Sequence, residues 1–252
     1  MNETYKAQVK DLVDDLKAVF THAGLGGEAG EYKLLTQSFL YKFLNDKFLY
    51  QAKILDESNT YENLLAMSEE DYDWLLEDIG TSTAWLKPDQ LIESLHRQQN
   101  EPTFYETFEN TLNQIAIDNN DIFSVHTDGD TAIRLFDERL ITDTISDSSK
   151  RNEVAKSIIN LLARVKFDET IFSQGFDFFS TLFEYMIKDY NKDGGGKYAE
   201  YYTPHSVAKI IADILVGDDK PSNVRIYDPS AGSGTLLMNL ASRIGVDKTT
   251  VY

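Results

Sequence analysis

The 252 residues include no cysteine. Disulfides and thiolate metal sites are therefore excluded, which fits an intracellular protein. Histidine is scarce as well. His22, His96, His126 and His205 lie far apart in the sequence, which predicts no zinc site. No stretch approaches the ~20 consecutive apolar residues that a membrane helix requires. The opening "MNETYKAQVKDLVDDL" carries neither a basic leader nor an apolar signal core. These absences predict a cytoplasmic chain with no membrane contact. Positive charge is the last shortage: 24 Lys and Arg stand against 42 Asp and Glu, a net charge of −18. Phosphate contacts are made largely by Lys and Arg, so a simple nucleic-acid-binding surface is disfavoured.

What remains is ordinary globular material. With 42% hydrophobic residues, 14 Phe and 14 Tyr, the chain can fill the interior of one large domain or two smaller ones. Its charge is unevenly spread. Residues 191–252 hold seven basic and seven acidic residues, so the whole acidic excess lies in the first 190. That excess admits two readings, a solvated surface that keeps the protein soluble or a face turned toward a basic partner protein.

Hydrophobic periodicity predicts a mainly helical chain before residue 193. In "YKAQVKDLVDDLKAVF" the residues Val9, Leu12, Val13, Leu16 and Val19 recur at helical spacing, and "THAGLGGEAG" breaks the pattern. The run "EYKLLTQSFLYKFLNDKFLYQAKIL" is apolar at Leu34, Leu35, Phe39, Leu40, Phe43, Leu44, Phe48 and Leu49, which predicts a long and largely buried helix. Ser68, three residues before Asp71, is a capping-box match that opens a helix over "SEEDYDWLLEDIG". Further helices are expected at "EPTFYETFENTLNQIAI", "DTAIRLFDERLI", "KRNEVAKSIINLLARV" and "FDFFSTLFEYMIKDY", with few strands before residue 220. The glycines Gly194, Gly195 and Gly196 mark a boundary. As a phosphate loop they lack both a preceding strand and a following Lys-Ser or Lys-Thr, and they read as a flexible joint.

Beyond the joint the pattern changes. Thr203 is placed to cap a helix beginning at Pro204, and Tyr201 and Tyr202 read as packing residues at its entrance. Then "NVRIYDPSAGSGTLLMNLASRIG" gives a short β-branched run, an acidic residue, a glycine turn and an apolar helix, the opening of a nucleotide-binding α/β fold. The dinucleotide form is ruled out, because Leu237 stands where its third glycine belongs. Gly232 and Gly234 let the backbone approach a ligand closely, and Asp228 offers a carboxylate to an ammonium group or an ordered water. An ordinary strand-to-helix loop would also look like this. S-adenosylmethionine, a small zwitterionic amino acid joined to a nucleoside, has the shape such a turn suits.

The string "AEYYTP", about two dozen residues before "DPSAGSGTLL", resembles the paired cofactor motifs of adenine-specific DNA methyltransferases, above all the modification subunit of type I restriction-modification systems. "SFLYKFLNDKF" resembles a helix near the start of that subunit's N-terminal helical domain, and "FDFFSTLFEYMIKDYNKDGGGKYAEYYTP" resembles the helix and linker into its methyltransferase domain. The resemblance implies a mainly α N-terminal helical domain over residues 1–193. The beginning of an α/β Rossmann-like S-adenosylmethionine-dependent methyltransferase domain would follow over 194–252. It implies that Tyr202, Thr203 and Pro204 lie at the methionine part of the cofactor, with Asp228, Pro229, Ala231, Gly232 and Gly234 forming the loop beneath it. It also implies a specificity subunit and a restriction subunit as partners, and double-stranded DNA as the substrate of the assembly.

One feature of the family is missing. Its members hold a flipped adenine with an Asn-Pro-Pro-aromatic segment, and no Asn-Pro-Pro occurs here. The chain is thus expected to carry half of a cofactor site, no catalytic residues and no metal site, as an inactive fragment of a longer enzyme whose second strand begins at "DKTTVY". Two other readings stand beside this: a non-catalytic helical assembly module that binds specificity or restriction subunits, and a stand-alone methyltransferase fused to its own recognition domain.

Overall fold

The computed structural model describes residues 3–26, 29–123, 125–126, 132–167, 172, 203–219, 221–232, 234–245 and 248–251. The chain forms two compact units, Met1–Phe176 and Asp177–Tyr252. Among the described residues no helix is long and apolar enough to cross a membrane.

The first unit is helical. α1 (Glu3–Ala23) buries Val9, Leu12, Val13, Leu16 and Phe20, a single stripe at helical spacing. It ends at Gly24, whose φ of +98° suits only a residue without a side chain, and the Leu25 N–H then bonds back to the Phe20 carbonyl at 2.9 Å. α2 (Ala29–Leu55) is the centre of the unit. Leu34, Leu35, Phe39, Tyr41, Leu44, Phe48 and Ala52 are all buried, covering most of its circumference, so other helices must surround it. They include α1, α4 (Glu69–Ile79), α8 (Leu140–Thr144) and α9 (Ser148–Arg164). Between them lie α3 (Tyr61–Ala66), α5 (Ile92–Gln98), α6 (Phe104–Asp118) and the short α7 (Asn120–Phe123). Aromatic packing joins α2 to α6 through Tyr41 and Phe108, edge to face with ring centres 6.2 Å apart.

The expected cap forms at α4: Ser68 Oγ accepts the Asp71 N–H at 3.2 Å. The return bond differs from a full capping box, since the Ser68 hydroxyl itself donates to Asp71 Oδ2 at 2.6 Å. The helix expected over "DTAIRLFDERLI" is not formed as a unit. Ala132–Ile133 is instead a strand, β2, paired antiparallel with β1 (Val125–His126) in the register Val125↔Ile133, and the helix α8 begins only at Leu140. Pairing with β1 gives the backbone of Ala132–Ile133 its hydrogen-bond partners, and this contact overrides the apolar spacing along the segment. The helix expected over residues 176–190 and the joint at Gly194 to Gly196 lie outside the described residues.

The second unit contains α10 (His205–Val216), β3 (Val224–Ile226), α11 (Thr235–Ile244) and β4 (Thr249–Val251). β3 and β4 pair in parallel, with Val224↔Thr249, Arg225↔Thr250 and Ile226↔Val251 in register, and α11 is the crossover between them. Ile226, Leu237 and Ala241 form the centre of its core, with Val224, Ala231, Leu240 and Ile244 packed around them. α10 packs on α11 and buries Ala208, Ala212 and Val216. Arg243 on α11 ties the pair together, its Nε 2.8 Å from Asp213 Oδ1 and its Nη2 donating to the Gly217 carbonyl at 2.8 Å. A cation there also suits the negative end of α10.

Candidate cofactor site

The candidate site is the loop between β3 and α11. Past Ile226 the chain leaves the sheet, and Asp228 Oδ1 accepts the Ser230 N–H at 2.8 Å, a local turn that fixes the carboxylate against its own backbone. The Gly234 N–H then bonds to the Ala231 carbonyl at 2.8 Å, closing a tight turn into α11. Gly232 has φ +56° and Gly234 has φ +75°, both in the left-handed region where a side chain is disfavoured. A Cβ at Gly234 would meet nothing within 4 Å, so backbone conformation, and not crowding, is what calls for glycine there. Gly234 is also the N-cap of α11, and with no side chain it leaves the first N–H groups of that helix without a side-chain cap.

The residues expected at the second motif are partly visible. Thr203 is half-buried and Pro204 is exposed, while Tyr202 lies outside the described residues, as do Tyr201 and Ser233. The expected cap differs by one position. α10 begins at His205 with Pro204 as N-cap, whose carbonyl accepts the Val207 and Ala208 N–H groups at 3.0 and 3.1 Å. Proline fixes φ but leaves ψ free, and ψ of 136° keeps Pro204 extended, so Thr203 stands one residue too early to cap. With the capping role removed, its hydroxyl is available for another partner.

Sequence reasoning did not foresee the link between the two motifs. His205 Nδ1 lies 3.2 Å from Asn239 Nδ2, which also donates to the Thr235 carbonyl at 2.8 Å. This contact sets the start of α10 beside Asn239, one turn into α11. Thr203 and Pro204, immediately before His205, and the 228–234 loop, immediately before Thr235, are thereby brought to the same end of the unit. Asp228 and Ala231 are half-buried in the loop, and Pro229 and Gly232 are exposed.

These features suit a zwitterion. A carboxylate stands ready for an ammonium group, uncapped N–H groups at a helix start favour a carboxylate, and side-chain-free backbone permits close approach. S-adenosylmethionine needs all three at its methionine end, so the residues present fit it.

Residues 174–251 match the family described as N-6 DNA Methylase, and this segment includes the whole loop and both of its helices. The chain is 25% identical over 259 residues to the type I restriction enzyme MpnII methylase subunit of Mycoplasma pneumoniae, covering 97% of this chain and 45% of that protein. It is 27% identical over 128 residues to the type I restriction enzyme MjaIX methylase subunit of Methanocaldococcus jannaschii, covering 47% of this chain and 22% of that protein. Its fold is similar to the crystal structure of the type I restriction-modification system methyltransferase subunit from Streptococcus thermophilus, with a TM-score of 0.65 and 20% identity over 98% of this chain and 52% of that one. The likeness to the Mycoplasma pneumoniae subunit and to the Streptococcus thermophilus structure therefore extends along nearly the whole chain, and the mostly helical fold is similar to the latter's over that length. The chain spans about half the length, or less, of the relatives it matches.

Proposed function

We propose that this chain is the N-terminal part of an adenine-specific DNA methyltransferase, the modification subunit of a type I restriction-modification system. The observation that carries the reading is the 228–234 loop, with left-handed Gly232 and Gly234 at the junction of a parallel β–α–β unit. In this proposal residues 1–193 are the helical domain and 194–252 begin a Rossmann-like methyltransferase domain. Tyr202, Thr203 and Pro204 border the methionine moiety of S-adenosylmethionine, Asp228 receives its ammonium group, and Pro229, Ala231, Gly232 and Gly234 form the floor. The cofactor supplies an activated methyl group for the exocyclic amine of adenine.

The same reading assigns the remaining work elsewhere. Residues 1–252 contain no Asn-Pro-Pro-aromatic segment, so a flipped adenine would be held by residues outside them. α10 supports an incomplete domain: it is apolar on the buried side at Ala208, Ala212 and Val216, and on the exposed side at Val207, Ile210, Ile211, Ile214 and Leu215. Its polar residues Ser206, Lys209 and Asp213 share one narrow face, so a wide apolar face stays exposed, and a contiguous apolar patch of this kind is covered by another element in the working state. By this reading residues 1–252 alone transfer no methyl group, while the full-length subunit acts in the cytoplasm with a specificity subunit, a restriction subunit and double-stranded DNA. The test is methyl transfer from labelled S-adenosylmethionine to DNA by the full-length protein assembled with its specificity subunit. Label in N6-methyladenine that is lost in Asp228→Ala is the expected result; label in another base, or undiminished in the variant, would overturn the assignment.

A further inference from the structure

The outer face of α4 is built around a tryptophan. Tyr72, Leu75 and Ile79 are buried on the inner face, and Trp74, with 61% of its surface exposed, occupies the middle of the other. On a helix surface the neighbours of a residue stand three and four positions away. For Trp74 these are Glu70, Asp71, Glu77 and Asp78, all exposed. The indole is thus ringed by carboxylates. Between Lys53 and Lys87 the sequence holds nine acidic residues and no Lys, Arg or His, and among the described residues none of the four carboxylates is in an ion pair.

Helix electrostatics oppose this arrangement. Glu69, Glu70 and Asp71 suit the positive end of α4, but Glu77 and Asp78 lie toward its negative end, whose last turn has no basic residue. Asp73 and Glu77 add a like-charge pair at i,i+4. An exposed indole gains nothing from the fold either. Stability of the isolated unit would favour other residues at these positions, and a cationic partner relieves both the repulsion and the exposure.

We infer that the outer face of α4 is a docking surface for a basic segment of a partner protein, with an arginine over the Trp74 ring and further cations paired to Glu70, Glu77 and Asp78. Arginine suits the place because its planar guanidinium stacks on an aromatic face and binds carboxylates bidentately. The same charges repel a phosphate backbone, which makes the occupant a polypeptide. α4 lies outside residues 174–251, so the inference does not depend on the methyltransferase reading.

The test is calorimetric titration of a synthetic peptide of alternating arginine and alanine into the 252-residue chain and three variants. Trp74→Ala keeps every charge. Glu70→Gln/Glu77→Gln/Asp78→Asn removes three carboxylates from the face. Asp11→Asn/Asp121→Asn/Glu153→Gln removes three exposed carboxylates from elsewhere. Circular dichroism melts establish that each variant is folded. The docking surface requires that Trp74→Ala and the face variant each bind roughly tenfold more weakly, about what one partly desolvated cation–π contact contributes, while the control variant binds within about twofold of the parent. Equal weakening of the face and control variants, an unchanged affinity for Trp74→Ala, or no binding to the parent would overturn it.

Discussion

Lys42 and Asp46 are buried one helical turn apart on α2, with Nζ 3.0 Å from Oδ1 and 2.9 Å from Oδ2. The remaining groups around them are also satisfied. Asn45 Nδ2 donates to Asp46 Oδ1 at 2.8 Å, Asn45 Oδ1 accepts the Ile92 N–H at 2.9 Å, and Asp46 Oδ2 accepts the Phe167 N–H at 2.8 Å. Two residues of α2 thereby hold the start of α5 and the segment after α9. Burial lowers the Lys42 ammonium below its ordinary value of 10.5, against the opposing pull of Asp46. Asp46→Asn leaves that ammonium buried without a counter-charge, and urea denaturation is expected to show a loss of about 3–5 kcal/mol. Two tyrosines titrate in the opposite sense. Tyr41 donates to the Gln90 carbonyl and Tyr72 to the Leu86 carbonyl, each at 2.6 Å, and burial pushes both hydroxyls above the ordinary 10.0. The unfolded chain releases these protons near pH 10.0 while the folded one retains them, so their contribution is intact below that pH and declines above it. Stability measured from about pH 9.5 to 11 is expected to fall less steeply in Tyr72→Phe than in the parent, from a starting value lower by about 1 kcal/mol for the missing hydrogen bond.

At the scale of elements, legibility followed the strength of the period. α1, α2, α6 and α9 carry enough apolar residues at helical spacing to be read directly. The segment at 132–133 was misread because a two-residue strand has no period, and only its partner across the turn decides its conformation. The 228–234 loop was legible because left-handed turns need glycine at fixed positions, and Gly232 and Gly234 stand there. The bond between His205 and Asn239 left no mark in the sequence, since it arises only when α10 packs on α11. α10 also provides a test of the incomplete-domain reading. Ile210→Gln/Ile214→Gln replaces side chains that are 59% and 74% exposed, and is expected to leave the melting temperature of the 252-residue chain within a few degrees of the parent. In the full-length protein the same change is expected to lower stability by several kcal/mol, because each isoleucine would then be buried. Equal effects in the two proteins would contradict that reading.

Over the whole molecule, charge and chemistry are segregated. The acidic excess belongs to the first 190 residues, and the loop suited to a zwitterion lies in the electrically balanced remainder. Acidic residues repel a phosphate backbone, and the proposed division of labour leaves DNA recognition to a partner. The central claim is that the 228–234 loop holds S-adenosylmethionine. The direct measurement is calorimetric titration of S-adenosylmethionine into the full-length protein and its Gly232→Leu variant, with the melting curves of both recorded. The account predicts saturable binding to the parent and none to a folded variant, because a branched side chain at φ +56° strains the turn and fills the space beside the cofactor. Equal affinity of the two folded proteins would contradict it.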